Sequence, residues 1–167
     1  MKILETKRLN LREIVENDGE FMLDLLNQPS FIKYIGDRNV RTVEAAREFI
    51  ESRYRQSYRA NGFGLWAVEL KETGAAIGIC GFVKRDNLPD ADIGFAFLPQ
   101  FEKRGYAYES AAAAMKYGAD VLKFPRVLAI TSQNNTSSQK LLEKIGLKFE
   151  RLISLPNDAE KLKLFSS

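Results

Sequence analysis

A basic turn, Lys103-Arg104-Gly105, stands between an apolar run that ends at Leu98 and a stretch that reads as a helix from Tyr106. The chemistry of such a turn is anion binding. A helix start exposes N–H groups without intrahelical partners and carries partial positive charge, so it receives phosphate. Gly105 leaves the approach open, Ala107 is small for the same purpose, and Lys103 and Arg104 add charge at the mouth. The turn is not a nucleotide P-loop, because no G-x-x-x-x-G-K-[ST] string occurs. Gly62-Phe63-Gly64 lacks a third glycine and precedes a strand, so it is no dinucleotide fingerprint either. On these residues alone, a solvated loop with an ordinary cap competes with the anion-binding reading.

Composition restricts the proton chemistry. The 167 residues include no histidine and one cysteine. Ser-His-Asp and Cys-His triads and histidine-ligated zinc are therefore excluded, and carboxylates, hydroxyls, amines or water must move protons. Cys80 lies in an apolar run and reads as a buried structural thiol. Asp90 and Asp92 make a D-x-D pair with no further acidic cluster or histidine nearby, so no metal is expected. Net charge is +3, too mild to argue for nucleic acid or membrane partners. Arg47, Arg53, Arg55 and Arg59 interleave with Glu44, Glu48 and Glu51, which reads as a solvated helix face. Residues 1–8 hold no apolar signal-peptide run, and no stretch approaches the roughly 18 apolar residues of a membrane span. A cytoplasmic protein is expected.

The elements that position these groups follow from periodicity. Alternation over 7–14 predicts a strand, with Asn17 and Glu20 placed as cap and third-position partner of a short helix stopped by Pro29. Val43, Ala46, Ile50, Tyr54 and Tyr58 mark one face of a long helix from Thr42 to about Ala60. Strands over 64–70, 75–84 and 91–98 form an antiparallel meander. A helix follows over about 106–122, with a stripe of small residues that allows close packing on a sheet. A strand over 127–131, a helix over 135–145 ended by Gly146, and two strands over about 148–155 and 160–165 complete the chain, the last two flanking the loop 156–159. The fold class is mixed α/β (α+β), with about seven strands, mostly antiparallel, flanked by about four helices. One domain spans 1–167, without repeat or linker.

Three segments together resemble the GNAT superfamily of N-acetyltransferases, and most closely its ribosomal-protein N-terminal (alanine/serine) acetyltransferase branch. They are Glu5-Thr6-Lys7-Arg8-Leu9-Asn10-Leu11-Arg12, Gly105-Tyr106-Ala107-Tyr108-Glu109, and the run from Asn135 through Ser138 and Leu142 to Gly146. The resemblance covers roughly residues 3–165. It implies a GNAT-like splayed sheet in which pantetheine lies, as an added strand, between the strand ending at Leu98 and the strand from Val127. Main-chain groups near Phe95, Ala96 and Phe97 would pair with pantetheine. Lys103, Arg104, Gly105, Tyr106, Ala107 and Tyr108 would receive the diphosphate of acetyl-CoA, and Asn135 would bond the pantetheine arm. The acetyl oxygen would meet N–H donors around Phe97 and Leu98. Two departures stand out. Glu102 occupies a position where the family has Gln or Arg, and Leu142 occupies the place of a frequent tyrosine acid.

The resemblance therefore implies an acetyl-CoA-dependent transfer to a primary amine, by direct attack on the thioester. Ser138 matches a serine that would donate to the leaving thiolate. Asp92 matches a carboxylate that would serve as base, with a solvated turn residue as its alternative reading; Glu109 and Glu160 are further candidates. The expected partners are acetyl-CoA and an amine acceptor, for a monomer or homodimer. The leading acceptor is the N-terminal α-amine of a protein or peptide. A small amine (amino acid, polyamine or antibiotic) and a non-catalytic acyl-CoA-binding module remain alternatives.

Overall fold

The computed structural model describes residues 1–156 and 158–167. Leu9 and Leu11 alternate with polar neighbours and bury fully, which makes a strand, β2 (Leu9–Arg12). A strand before it, β1 (Lys2–Glu5), pairs antiparallel with β2. The sequence does not announce β1, because only Ile3 and Leu4 are apolar and both stay half-buried. The meander follows as β3 (Leu65–Leu70), β4 (Ala76–Val83) and β5 (Asp92–Phe97). After it come helix α5 (Tyr106–Asp120), β6 (Leu128–Ser132), α6 (Thr136–Lys144), β7 (Lys148–Ile153) and β8 (Leu162–Ser166). Among the described residues, eight strands share one sheet, in the order β1-β2-β3-β4-β5-β6-β8-β7. Every pairing is antiparallel except β5 with β6.

Alternation along the strands divides the core between two faces. Trp66, Val68, Cys80, Phe82 and Phe97 bury against Ala111 and Ala114 of α5 and Leu142 of α6. Ala67, Ile79 and Leu98 face the helices of the first half of the chain. These are α1 (Gly19–Leu26), α2 (Pro29–Tyr34) and a long helix made of α3 (Val43–Phe49), a π-helical segment (Ile50–Arg55) and α4 (Gln56–Asn61).

Three local expectations are corrected. Asn17 is not a cap. It lies in a 3₁₀ turn, Glu16–Asp18, and Asp18 does the capping work: its carboxylate accepts from Val15 N–H at 2.8 Å and from Arg12 at 2.8 and 2.9 Å. Pro29 opens α2 rather than only stopping α1, since proline suits a first helical position. The long helix is not uniform. Ala46, Ile50, Tyr54 and Tyr58 recur at every fourth residue, which outruns a 3.6-residue turn by about 40° per step. The wider π turn takes up that drift, so that Ile50 and Tyr54 bury together. Tyr58 then ties helix to sheet. Its hydroxyl accepts from Ile14 N–H at 2.9 Å and donates to the Leu65 carbonyl.

Candidate active site

The sheet opens between β5 and β6. They share one registered pair, Asp92 with Leu128, and part beyond it. Hydrogen-bond direction alternates along an antiparallel ladder. Leu98 N–H donates to Ile77 of β4 at 3.0 Å, whereas Ala91 C=O accepts from Leu128 on the β6 side at 3.0 Å. The N–H and C=O groups of Phe95 and Phe97 therefore face the opening, and those of Ala96 are paired with β4. Of the amides expected to serve pantetheine and the acetyl oxygen, Phe95 and Phe97 meet the geometric requirement. Ala96 and Leu98 have their N–H groups committed to β4, so their contribution is to hold the strand.

At the wide end of the opening stands the start of α5. Gly105 adopts φ +83°, a left-handed conformation that favours glycine. A Cβ there would lie 3.2 Å from Arg8 Nη2. The first intrahelical bond is Glu109 N–H to Gly105 C=O at 3.0 Å, which leaves the N–H groups of Tyr106, Ala107 and Tyr108 without helical partners. Lys103, Arg104 and Glu102 are exposed at the same mouth. The donors and cations present suit a diphosphate.

Two of the three sequence segments prove to be one device. The turn between β1 and β2 docks on the first turn of α5 through Glu109. That carboxylate accepts from Thr6 Oγ1, from Arg8 N–H at 2.9 Å and from Arg8 Nε at 2.7 Å. Desolvation raises the Glu109 pKa, but the bonds from Thr6 and Arg8 outweigh it and hold the carboxyl below its ordinary value. Glu109 is thus engaged at both oxygens and is no free base. The guanidinium of Arg8 lies 4.3 Å from the Tyr106 ring centroid, and Lys144 of α6 lies 4.3 Å from that of Tyr108. The sequence gives no role to either cation, although Arg8 and Lys144 each lie within one of the three segments.

Asn135 caps α6. Its Oδ1 accepts from Ser138 N–H at 3.2 Å, which leaves its amide NH₂ to donate elsewhere. Ser138 is half-buried one turn into that helix, and Leu142, a turn further, packs in the core. Packing thus claims the position where a tyrosine acid would stand.

Asp92 is not a solvated turn residue. It is 2% exposed, and its carboxylate accepts from Arg85 Nε at 3.0 Å. Burial pushes its pKa up to about 6, against the opposing pull of Arg85. Asp92 shares strand parity with Ala96, so both project on the α1–α4 face. On that face Arg38, from the loop after α2, and Arg53, from the π segment, lie close enough to Tyr54 to act on its hydroxyl. The long helix divides its arginines. Arg55 and Arg59 pair with Glu51 at 3.1 and 2.7 Å on a solvated flank, as expected, while Arg53 lies over the Phe49 ring.

The remaining candidates separate from the site. Glu160 is exposed in the segment before β8, and Asn157 of the expected loop lies outside the described residues. Asp90 pairs with Arg126 at 2.8 Å, so the two aspartates of the D-x-D pair serve different arginines. Among the described residues, no three His, Cys, Asp or Glu side chains gather to hold a metal ion. Among the described residues, no helix is long and apolar enough to cross a membrane. Cys80 is buried, and burial pushes its thiol up to about 12.

Comparison with known proteins places this geometry in context. Residues 8–148 match the acetyltransferase (GNAT) domain family. An uncharacterized N-acetyltransferase of Bacillus licheniformis, p20, is 30% identical, over 98% of this chain and 90% of its own. The crystal structure of a GNAT-family acetyltransferase from Bacillus anthracis superposes with a TM-score of 0.82 at 26% identity, covering 100% of this chain and 98% of that one. The ribosomal L7/L12 alpha-N-protein acetyltransferase RimL, in complex with coenzyme A, shares the fold with a TM-score of 0.81 at 15% identity, covering 100% and 97%.

Proposed function

Because the chain belongs to the GNAT acetyltransferase family, we propose that it moves an acetyl group from acetyl-CoA to the α-amine at the N-terminus of a protein or peptide, with 1–167 acting as one catalytic domain. The observation that carries this reading is the buried carboxylate of Asp92, raised to about 6. A model α-amine titrates near about 8 and a lysine near about 10.4, so a base of this strength is suited to the former. The donor side is supported by the unpaired edge of Phe95 and Phe97 and by the free amides at the start of α5. The coenzyme A bound in RimL occupies the same fold.

In this mechanism the amides of Tyr106, Ala107 and Tyr108, with Lys103, Arg104 and Arg8, hold the diphosphate. Phe95, Phe97 and the Asn135 amide align the pantetheine arm. Asp92, directly or through water, takes the proton of the amine, which attacks the thioester carbonyl. The opening-facing N–H of Phe95, nearer Asp92, would meet the developing oxyanion while Phe97 holds the pantetheine arm, and such preorganised donors commonly give the largest catalytic contribution. The carbon–sulfur bond breaks, and the leaving thiolate receives a hydrogen bond from Ser138. That help is modest, because a thiol titrating near about 8.5 leaves readily.

The test is thiol release from acetyl-CoA across a panel of peptides, amino acids and polyamines, with product mass. Fastest turnover on peptides, with acetyl on the N-terminal nitrogen, is the expected result. Exclusive turnover of small amines would overturn the peptide assignment. Binding of acetyl-CoA without turnover of any amine would identify an acyl-CoA-binding module.

A further inference from the structure

We propose that Gly94 keeps open the place where the acceptor meets the donor: the carbon that carries the reacting amine lies over this residue, in the space a side chain would fill. This rests on the reading of the chain as an amine acetyltransferase. Of the eleven glycines, Gly94 alone has no structural reason to be one. Five others adopt a positive φ. At Gly19, Gly64, Gly78, Gly81 and Gly118 a Cβ would lie 3.1 Å or less from a neighbouring atom. Gly94 shows neither feature. Its φ lies outside the left-handed region, and the atom nearest to a Cβ there is the side-chain tip of Leu65, Cδ2 at 3.4 Å. Glycine inside a strand weakens it, and marks places where another backbone or a ligand comes close. Gly81, opposite Gly94 on β4, is the first case, because a Cβ there would lie 2.2 Å from the Gly64 carbonyl oxygen. Gly94 fits the second.

Its position points the same way. Side chains alternate along a strand, so Asp92, Gly94 and Ala96 share the sheet face toward the first helices. Asp92 is 2% exposed and is held by Arg85 at 3.0 Å. Gly94 is half-buried, so the cover over Asp92 gives way two residues further along β5. Phe95, the next residue, turns its N–H into the opening, where the thioester oxygen would bind. The acceptor nitrogen must then lie between a base at residue 92 and a carbonyl at residue 95. Residues two apart on one face are about 7 Å apart, a span that a carboxylate, a hydrogen bond and an amine bridge. The amine brings its own carbon with it, and the bare Cα of Gly94 lies beneath that carbon. A methyl at residue 94 would compete for the same space. The conflict is sharper when the amine-bearing carbon carries a substituent of its own.

The experiment uses Gly94→Ala and Gly94→Val in the full chain. Thermal melting tests the space: Gly94→Ala should melt no lower than the wild type, because a strand glycine carries an entropic cost and no backbone stands in the way. Kinetics with saturating acetyl-CoA test the acceptor. The matched acceptors differ by one methyl on the amine-bearing carbon: peptides that begin with glycine or alanine, and glycinamide or alaninamide. In Gly94→Ala, kcat/KM for the alanine member should fall about tenfold or more, and in Gly94→Val further, since small misplacements of reacting atoms cost that much. The glycine member should lose less. The KM for acetyl-CoA should not change, because Gly94 pairs with β4 and turns no main-chain group into the opening. Calorimetry with the N-acetylated alanine peptide and coenzyme A gives a readout independent of turnover, and the variants should bind it more weakly. A lower melting temperature for Gly94→Ala would make the glycine a packing requirement and overturn the proposal. Unchanged acceptor kinetics, equal losses on the two members of a pair, or unchanged product affinity would also overturn it. In each of these cases turnover by the wild type leaves the acetyltransferase reading standing. Absence of wild-type turnover on every amine overturns both.

Discussion

Asp92 brings a carboxylate to the head of β5 where water is scarce, and its value near about 6 makes protonation a switch on the reaction. The base form fills as pH rises through that value, so kcat/KM should climb between about pH 5 and 7. Asp92→Asn should lower kcat by about 10²-fold and abolish that limb. The sign for stability is opposite. A carboxyl raised in the folded state favours folding below its unfolded value of 3.8, and that contribution is lost as pH rises through about 6. Asp92→Asn should therefore melt no lower than the wild type at pH 8, which thermal scans check. Ser138→Ala should lower turnover more than it weakens acetyl-CoA binding; unchanged steady-state kinetics would remove Ser138 from the mechanism. At this scale the glycine turn was legible in the sequence, because Gly105 ahead of a helical stretch marks a left-handed residue at a helix start. The burial of Asp92 was not. Arg85, seven residues away, and the strands around it meet only in the folded sheet.

Among elements, the β1–β2 turn and the first turn of α5 stand or fall together. Glu109 gathers Thr6 and Arg8 and places a guanidinium above the glycine turn. Its lowered pKa adds stability that is present above the ordinary carboxyl range and lost as pH falls through the folded value. Glu109→Gln should cost about 1–3 kcal/mol at pH 7. Its melting temperature should approach that of the wild type under acid conditions, and its Kd for acetyl-CoA should rise severalfold. Most elements were readable from period and turn residues. The misses have local causes. β1 carries two apolar residues and draws its strand character from β2. The π segment is hidden in a spacing of four that looks helical until its drift is followed. Arg53, grouped by sequence with Arg55 and Arg59, is set apart by the face it occupies.

At the scale of the molecule, five strands lie on one side of the opening and three on the other, joined there by the pair Asp92–Leu128. A pantetheine arm along Phe95 and Phe97 would supply the contacts that β6 withholds, a form of β-augmentation. Acetyl-CoA at about 100 times its Kd should add about 2.7 kcal/mol of stability. Amide exchange should slow at Phe95 and Phe97 and change little at Ala96, whose N–H is already paired with β4. Uniform slowing along β5 would contradict this pairing.

The same opening governs sequence in time. Until the donor lies along β5, its reactive carbon has no fixed address for an amine to find. Catalysis should then be ordered, with the thioester first on and the free thiol last off. Coenzyme A would compete with acetyl-CoA but not with the acceptor, and the emptied cleft would be the state that waits between turnovers.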